Sequence, residues 1–408
     1  MFEERAGSRW WVAVAAVVIQ LCLGAAYGWS VFVKPLVAGE HWRLTQVSAV
    51  FSLSIFCLGI GTIIGGNWLD RSGPRIVASV AGLLYGCGYL VASWAVAHHS
   101  LAVLYLGYGV IGGVGGGMGY ICPIATLVKW FPERRGLMTG IAVCGYGMGA
   151  LAMSAIAAPQ IATRGIPATF ASLGLAYLAL IVLAAQFCRN PRLPLASASA
   201  ASAAGAGVVP SDFTTREALR TPQFWLLWFM LFLNVSAGIM IISQASPMAQ
   251  QLGGMTPIAA AGVVGVIAIF NGLGRVVWAA ISDYIGRVHV FTILFAMETV
   301  VFLALPKLHS GLLFTAAVAL IGFAYGGGFG TMPALTADLF GSRYIGGIYG
   351  CILLAWGLGA VPSPLLIAYV RQQTGQYTGA IYVIAAVVFL AIALPLTLRK
   401  SKPQRSIQ

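Results

Sequence analysis

The chain has 408 residues, 59% of them hydrophobic and only 8% charged, with a mean hydropathy of +0.89. Soluble domains carry roughly 25% charged residues, so a water-soluble fold is excluded. The formal net charge of +13 would suit a nucleic-acid binder, but the placement of the charges gives it a different meaning.

Apolar stretches long enough to cross the hydrocarbon core as helices, about 18 residues or more, recur from Trp10 to Leu398. The first is too long for a signal peptide and has no small-residue cleavage pattern, so it reads as a retained span. Twelve spans are predicted, at 10–36, 45–68, 76–97, 100–126, 136–160, 167–188, 222–246, 256–281, 288–306, 310–335, 344–370 and 377–398. The 51 glycines suit close helix approach in lipid. The seven cysteines have neither metal spacing nor a paired framework and read mostly as small buried hydrophobes.

Lys and Arg divide by side. The termini and the loops after even-numbered spans carry seventeen of the 23, including Arg5, Arg71, Arg134, Arg135, Arg287 and Lys400. The opposite loops carry Lys34, Arg43, Arg164, Lys307 and Arg371. The positive-inside rule then places both termini in the cytoplasm. Orientation accounts for the net charge, and no nucleic-acid partner is expected.

The middle loop, 189–221, has an Ala/Ser/Gly core with little to bury and reads as a flexible cytoplasmic linker. Its end, SDFTTREALR, is expected to form a short surface helix. Asp212 or Thr214 would cap it, with Arg216 and Arg220 toward lipid headgroups.

The two sides of this linker repeat each other. Residues 119–150 match 330–360 at an offset of 210, placing Pro123 on Pro333, Gly136 on Gly346 and Gly140 on Gly350. GNWLDRSGPR (66–75) matches AAISDYIGR (279–287), with Asp70 on Asp283 and Gly73 on Gly286. The expected fold is an all-α membrane protein of two pseudo-symmetric six-helix bundles. They would be residues 1–188 and 222–408, joined by the linker 189–221. Such a duplication suggests a secondary transporter whose halves rock about a central site. Asp70, Arg71, Asp283 and Arg287 would then form gate contacts that make and break between conformations.

One arginine, Arg275, lies in the apolar run GVIAIFNGLGRVVWAAI. A charge at that depth costs at least about 2.5–3.5 kcal/mol and marks a functional site by default. Eight residues from Asp283, about 12 Å along a helix, it would have to strain to snorkel; otherwise it is a structural cation on buried carbonyls or a substrate ligand. Its planar fork suits a carboxylate. Asn271, one turn earlier on the same face, would bind substrate or hold the guanidinium.

The loop motif, the twelve spans and the duplication resemble the major facilitator superfamily across essentially the whole chain. YGWSVFVKPL (27–36), LVKWFPERRGLMTG (127–140), LRTPQFWLLW (219–228), NGLGR (271–275) and SDYIGR (282–287) resemble the oxalate/formate antiporter group and the related proton-coupled monocarboxylate transporters. The resemblance implies that Arg275 is the central carboxylate-binding arginine of span eight. Proton-coupled relatives often carry aspartate where this chain has Asn271. Oxalate-transporting relatives carry a lysine in span eleven where this chain has Trp356.

A single cation matches one carboxylate, so the expected substrate is a small monocarboxylate of the lactate or pyruvate type, carried with a proton by alternating access. An oxalate/formate-type anion antiporter is the alternative, and a transporter-like membrane sensor is a reading of another class. Tyr27, Tyr120, Tyr325, Tyr349 and Cys351 are further candidates for the substrate cavity, with Trp29, Tyr146, Asn234 and Gln244 behind them. Glu298, inside span nine, is a candidate proton site or a structural acid bonded to a neighbouring helix. No catalytic group, metal site or cofactor loop is expected, so the protein is not read as an enzyme. It is expected to act as a monomer in the cell inner (plasma) membrane.

Overall fold

The structure, a computed structural model, describes residues 6–191, 212–360 and 362–400. Among the described residues every regular element is helical. Eleven helical segments are long and apolar enough to cross a membrane. One of them, Pro132–Ala185, runs for 54 residues, about 80 Å if it were straight. It breaks at Gly165, whose φ of 79° is left-handed. Across the break Ser172 donates to Gln160 at 2.6 Å, although twelve helical residues would separate them by about 18 Å. The chain therefore turns back at Gly165, and the segment holds spans five and six. The total is twelve.

Helices outlast the hydrophobic runs that predict them. Span two is Leu44–Ser72 and span eight is Pro257–Ile285. Asp70, Arg71 and Asp283, expected in loops, therefore sit on last helical turns. The helices stop at Gly73 and Gly286, with φ of 82° and 89°. Hydropathy ends where the hydrocarbon ends, but a helix continues through the headgroup layer because its backbone bonds remain satisfied. Span one is two helices, Ala6–Leu23 and Ser30–Glu40, joined by a tight turn, Gly24–Gly28. Gly24 lies directly on the Tyr146 carbonyl of span five, where a Cβ would collide. Span ten is Gly311–Phe340. Span eleven is broken into Ile345–Ile352, Leu354–Gly359 and Pro362–Thr374.

The linker's poly-Ala/Ser core lies outside the described residues. Its end forms the helix Thr215–Leu219, capped by Thr214 in a reciprocal box with Glu217. Asp212 instead accepts from the Arg343 backbone N–H at 3.3 Å. Arg216 and Arg220 are exposed.

Glycines set the helix spacing. Gly274, Gly326 and Gly330 bring span eight against span ten, where added Cβ atoms would strike the carbonyls of Phe323, Asn271 and Arg275. Gly61 and Gly117 do the same between spans two and four. Between the bundles, Gly136 and Gly140 of span five meet Ala279 and Arg275 of span eight. Gly66 of span two meets Gly346, and Gly350 meets Thr62. These contacts lie toward the arginine-rich face. Toward the other face, Gly262 and Gly265 of span eight have nothing within 4 Å of a built Cβ. The bundles are joined by close contacts on the arginine-rich side.

Candidate functional site

Arg275 is fully buried, so it does not snorkel. Span eight carries it to the bundle interface, and Gly140 and Gly330 clasp its backbone carbonyl from either side. Its Nε donates to Asn271 Oδ1 at 3.1 Å, the i, i−4 contact expected on one helix face. Its Nη1 donates to the Val143 carbonyl of span five at 3.1 Å. Its Nη2 makes no well-formed hydrogen bond, and the Tyr120 hydroxyl stands within interaction range of the guanidinium. Among the described residues no Asp or Glu forms an ion pair with it. The guanidinium is thus held on two sides with one donor edge free.

Aromatic side chains enclose that edge. Phe329 of span ten lies 5.1 Å under the guanidinium carbon in a cation–π contact. Trp356 packs its ring against Phe329, Tyr120, Tyr146 and Tyr27 at centroid distances of 5.2, 5.5, 5.8 and 5.9 Å. Tyr27 and Tyr325 reach across the bundle interface, hydroxyl to hydroxyl, at 3.5 Å. The phenols of Tyr27, Tyr120, Tyr146 and Tyr325 all lie within electrostatic reach of Arg275. The hydroxyls of Tyr120, Tyr146 and Tyr349 are buried without a partner. A buried polar group without a partner is costly. The guanidinium and the unpartnered phenol hydroxyls thus share one buried setting, walled by flat aromatic faces.

Other candidates stand elsewhere. Cys351 is half-buried, with no hydrogen bond to the cluster. Trp29 belongs to the interior of the first bundle, donating to the Val47 carbonyl and stacking near Tyr108 and Phe170. Gln244 accepts from Tyr377 at 3.4 Å. Glu298 is fully buried behind the site and accepts from Asn234 Nδ2 at 3.3 Å. Two participants escaped the sequence reading. Phe329 could have been found four residues after Tyr325, on the same helix face. The Val143 carbonyl had no signal, because every residue carries one.

At the arginine-rich face each half caps a helix of the other. Asp70 accepts from the backbone N–H groups of Gly346 and Gly347 at 3.2 and 2.6 Å. Asp283 accepts from those of Gly136 and Leu137 at 3.1 and 3.0 Å. Both carboxylates sit at helix N-termini, where free N–H groups and the helix dipole favour negative charge. Asp283 also pairs with Arg287 at 2.6 Å. Asp338 bridges Arg287 and Arg135, at 3.0 and 3.2 Å. Arg71, expected at this gate, is exposed and in no ion pair among the described residues. One residue on from Asp70, it is rotated about 100° around the helix, and Lys129 approaches Asp70 instead, at 3.8 Å.

Comparison with known proteins bears on this architecture. The chain is 32% identical over 360 residues to "Uncharacterized MFS-type transporter YhjX" of Escherichia coli (strain K12), covering 87% of this chain and 86% of that one. It is 30% identical to the oxalate:formate antiporter of Oxalobacter formigenes, covering 95% and 91% of the two chains. It is 27% identical to monocarboxylate transporter 13 of Rattus norvegicus, covering 98% and 94%. The solved structure of the proton:xylose symporter XylE superposes with a TM-score of 0.74 at 15% identity, over 98% and 96% of the two chains. The model of the Major Facilitator Superfamily matches residues 16–364 and 264–408. With its twelve spans, its two mutually capping halves and these matches, the chain belongs to the Major Facilitator Superfamily.

Proposed function

We propose that this protein is a secondary active transporter that exchanges small carboxylates across the membrane, with Arg275 as the anion ligand. The observation that carries this reading is the buried guanidinium with one free edge and no acidic partner. Removing a charge from water without a counter-charge costs several kcal/mol even after relaxation. An empty carrier must take bare Arg275 through its closed state; a loaded one takes a neutral pair. Turnover is therefore fast only with an anion aboard in both directions, which is exchange. The names of an oxalate:formate antiporter and of a monocarboxylate transporter among its relatives point to the same ligand chemistry. The fold is a transporter's, with no enzyme chemistry assigned.

Proton-coupled symport of a monocarboxylate is the second reading, favoured by the single cation and the neutral Trp356. A dianion would leave one carboxylate facing aromatic walls without a charge partner. Exchange is preferred because Asn271, unlike an aspartate, cannot take up a proton or neutralise Arg275 on the empty return.

Proteoliposomes loaded with unlabelled formate, oxalate or lactate, or left empty, would be given labelled anion outside. Exchange predicts uptake only into loaded vesicles. Its loss in Arg275→Ala is expected to exceed a hundredfold, and Arg275→Lys is expected to recover little of it, because an ammonium lacks the planar fork. Uptake into empty vesicles driven by an inward proton gradient would overturn exchange in favour of symport. Wild-type inactivity toward every small acid would overturn the carboxylate assignment.

A further inference from the structure

Glu298 has no role in the site described so far, although it is a carboxyl buried at 0% exposure deep in a membrane span. Its one hydrogen bond is to Asn234 of span seven, and its second oxygen has no partner. No ion pair involves it among the described residues. Asn234 is itself fully buried, and the same Nδ2 donates to the Ala324 carbonyl of span ten at 3.3 Å. The Asn234 amide presses against Gly328, so closely that a Cβ there would collide with it. One turn along span seven, Gly238 lies against the Tyr325 ring.

Span ten at this level reads AYGGGFG, residues 324–330. Between Tyr325 and Phe329 it has no side chain to key into its neighbours. Glycine also makes a helix soft, because the unfolded backbone loses more freedom on ordering. Both flanking rings reach the anion site: Tyr325 pairs with Tyr27, and Phe329 lies under Arg275. The register of this run is set by its neighbours: Gly326, Gly327 and Gly330 press on span eight, Thr139 of span five donates to the Gly330 carbonyl at 3.4 Å, and the Asn234 amide is the polar contact from span seven.

We propose that Glu298 is a positioning residue for the anion site, acting through its hydrogen bond to Asn234 and not through a charge. Span nine holds Asn234 from behind. Asn234 holds the glycine run of span ten, and that run presents Tyr325 and Phe329 to Arg275. A carboxyl is suited to this task because its acceptor orients the amide toward Ala324 and Gly328. This rests on the reading of Arg275 as a carboxylate ligand.

The test uses the full chain. In proteoliposome exchange, Glu298→Leu is expected to raise KM by about three- to tenfold, the size of one buried hydrogen bond, with a smaller effect on maximal rate. Glu298→Gln keeps an acceptor and is expected to restore KM and the wild-type pH profile. The Glu298→Leu effect should shrink in a Tyr325→Phe background, because the two act through one link. Asn234→Ala reports the same link if Glu298→Leu does not fold.

Hydrogen exchange of peptides covering residues 320–335 supplies a readout independent of transport. Faster exchange in Glu298→Leu, reversed in Glu298→Gln, is expected. A Glu298→Gln protein that loses pH dependence or coupling would overturn the inference by making Glu298 a proton carrier. So would unchanged KM and unchanged exchange in Glu298→Leu and Asn234→Ala. If the wild type carries no carboxylate, the transport reading fails while hydrogen exchange still decides the link.

Discussion

Arg275 and Asn271 divide the work of keeping a cation in a membrane interior. Asn271 and the Val143 carbonyl take two donors of the guanidinium, and Nη2 is left without a well-formed hydrogen bond. The amide orients Arg275 without neutralising it. Asn271→Asp would place an acid one turn from Arg275, where the two would form a charge-assisted pair. The empty carrier would then carry a neutral pair through its closed state. The expected outcome is a tenfold or larger rise in net uptake into empty vesicles, with weaker anion affinity, since substrate must displace the aspartate. Uptake that still demands internal anion would show that Arg275's missing partner does not enforce exchange.

At the level of elements, glycine decides which helices touch. Spans five and eight cross where Gly140 lies against the Arg275 carbonyl, and a Cβ there would also come within 2.8 Å of the Ala279 methyl carbon. The contact lies beside Arg275 and toward the arginine-rich face. Gly140→Val is expected to hold the two spans apart, favouring the state open at the arginine-rich face. Thiol labelling can follow this. Cys144, half-buried on span five and 3.7 Å from a Cβ built at Gly272 of span eight, would change its reactivity toward a reagent added at the opposite face. Unchanged labelling and transport would mean that the crossing tolerates separation. The glycine-rich run of span ten is the softer counterpart, since its glycines serve close approach to spans seven and eight and Asn234 is its polar contact from span seven.

For the whole molecule, the two halves lock by exchanging caps. Asp70 bonds the helix start at Gly346 and Gly347, and Asp283 that at Gly136 and Leu137. Hydrogen bonds to charged groups are worth about 1.5–3 kcal/mol each. Asp70→Asn or Asp283→Asn should therefore shift the balance between open states by about tenfold or more. The double variant should shift it further, because the contacts are far apart and independent. Distance measurements between spin labels on the arginine-rich ends of spans five and eight would register the shift. A population identical to wild type in both single variants would show that the ion pairs of Asp338 with Arg135 and Arg287 hold the arginine-rich face without the caps.

Hydropathy, charge asymmetry and the internal repeat made the twelve-span architecture legible, because a bilayer forces long apolar helices and each signal is local along the chain. The same constraint singled out Arg275, since a charge in an apolar run is anomalous wherever the run folds, and helical periodicity tied Asn271 to it. The mutual capping could be only half read. The repeat aligned Asp70 with Asp283 and Gly136 with Gly346, but that each acid crosses to the other half's glycine depends on how the bundles meet. Tertiary structure alone brought Phe329, Trp356 and the Val143 carbonyl around one guanidinium, replaced Arg71 by Lys129, and set Glu298 behind Asn234. Those contacts join residues up to hundreds of positions apart, and no period or local pattern in a sequence records which helix faces which.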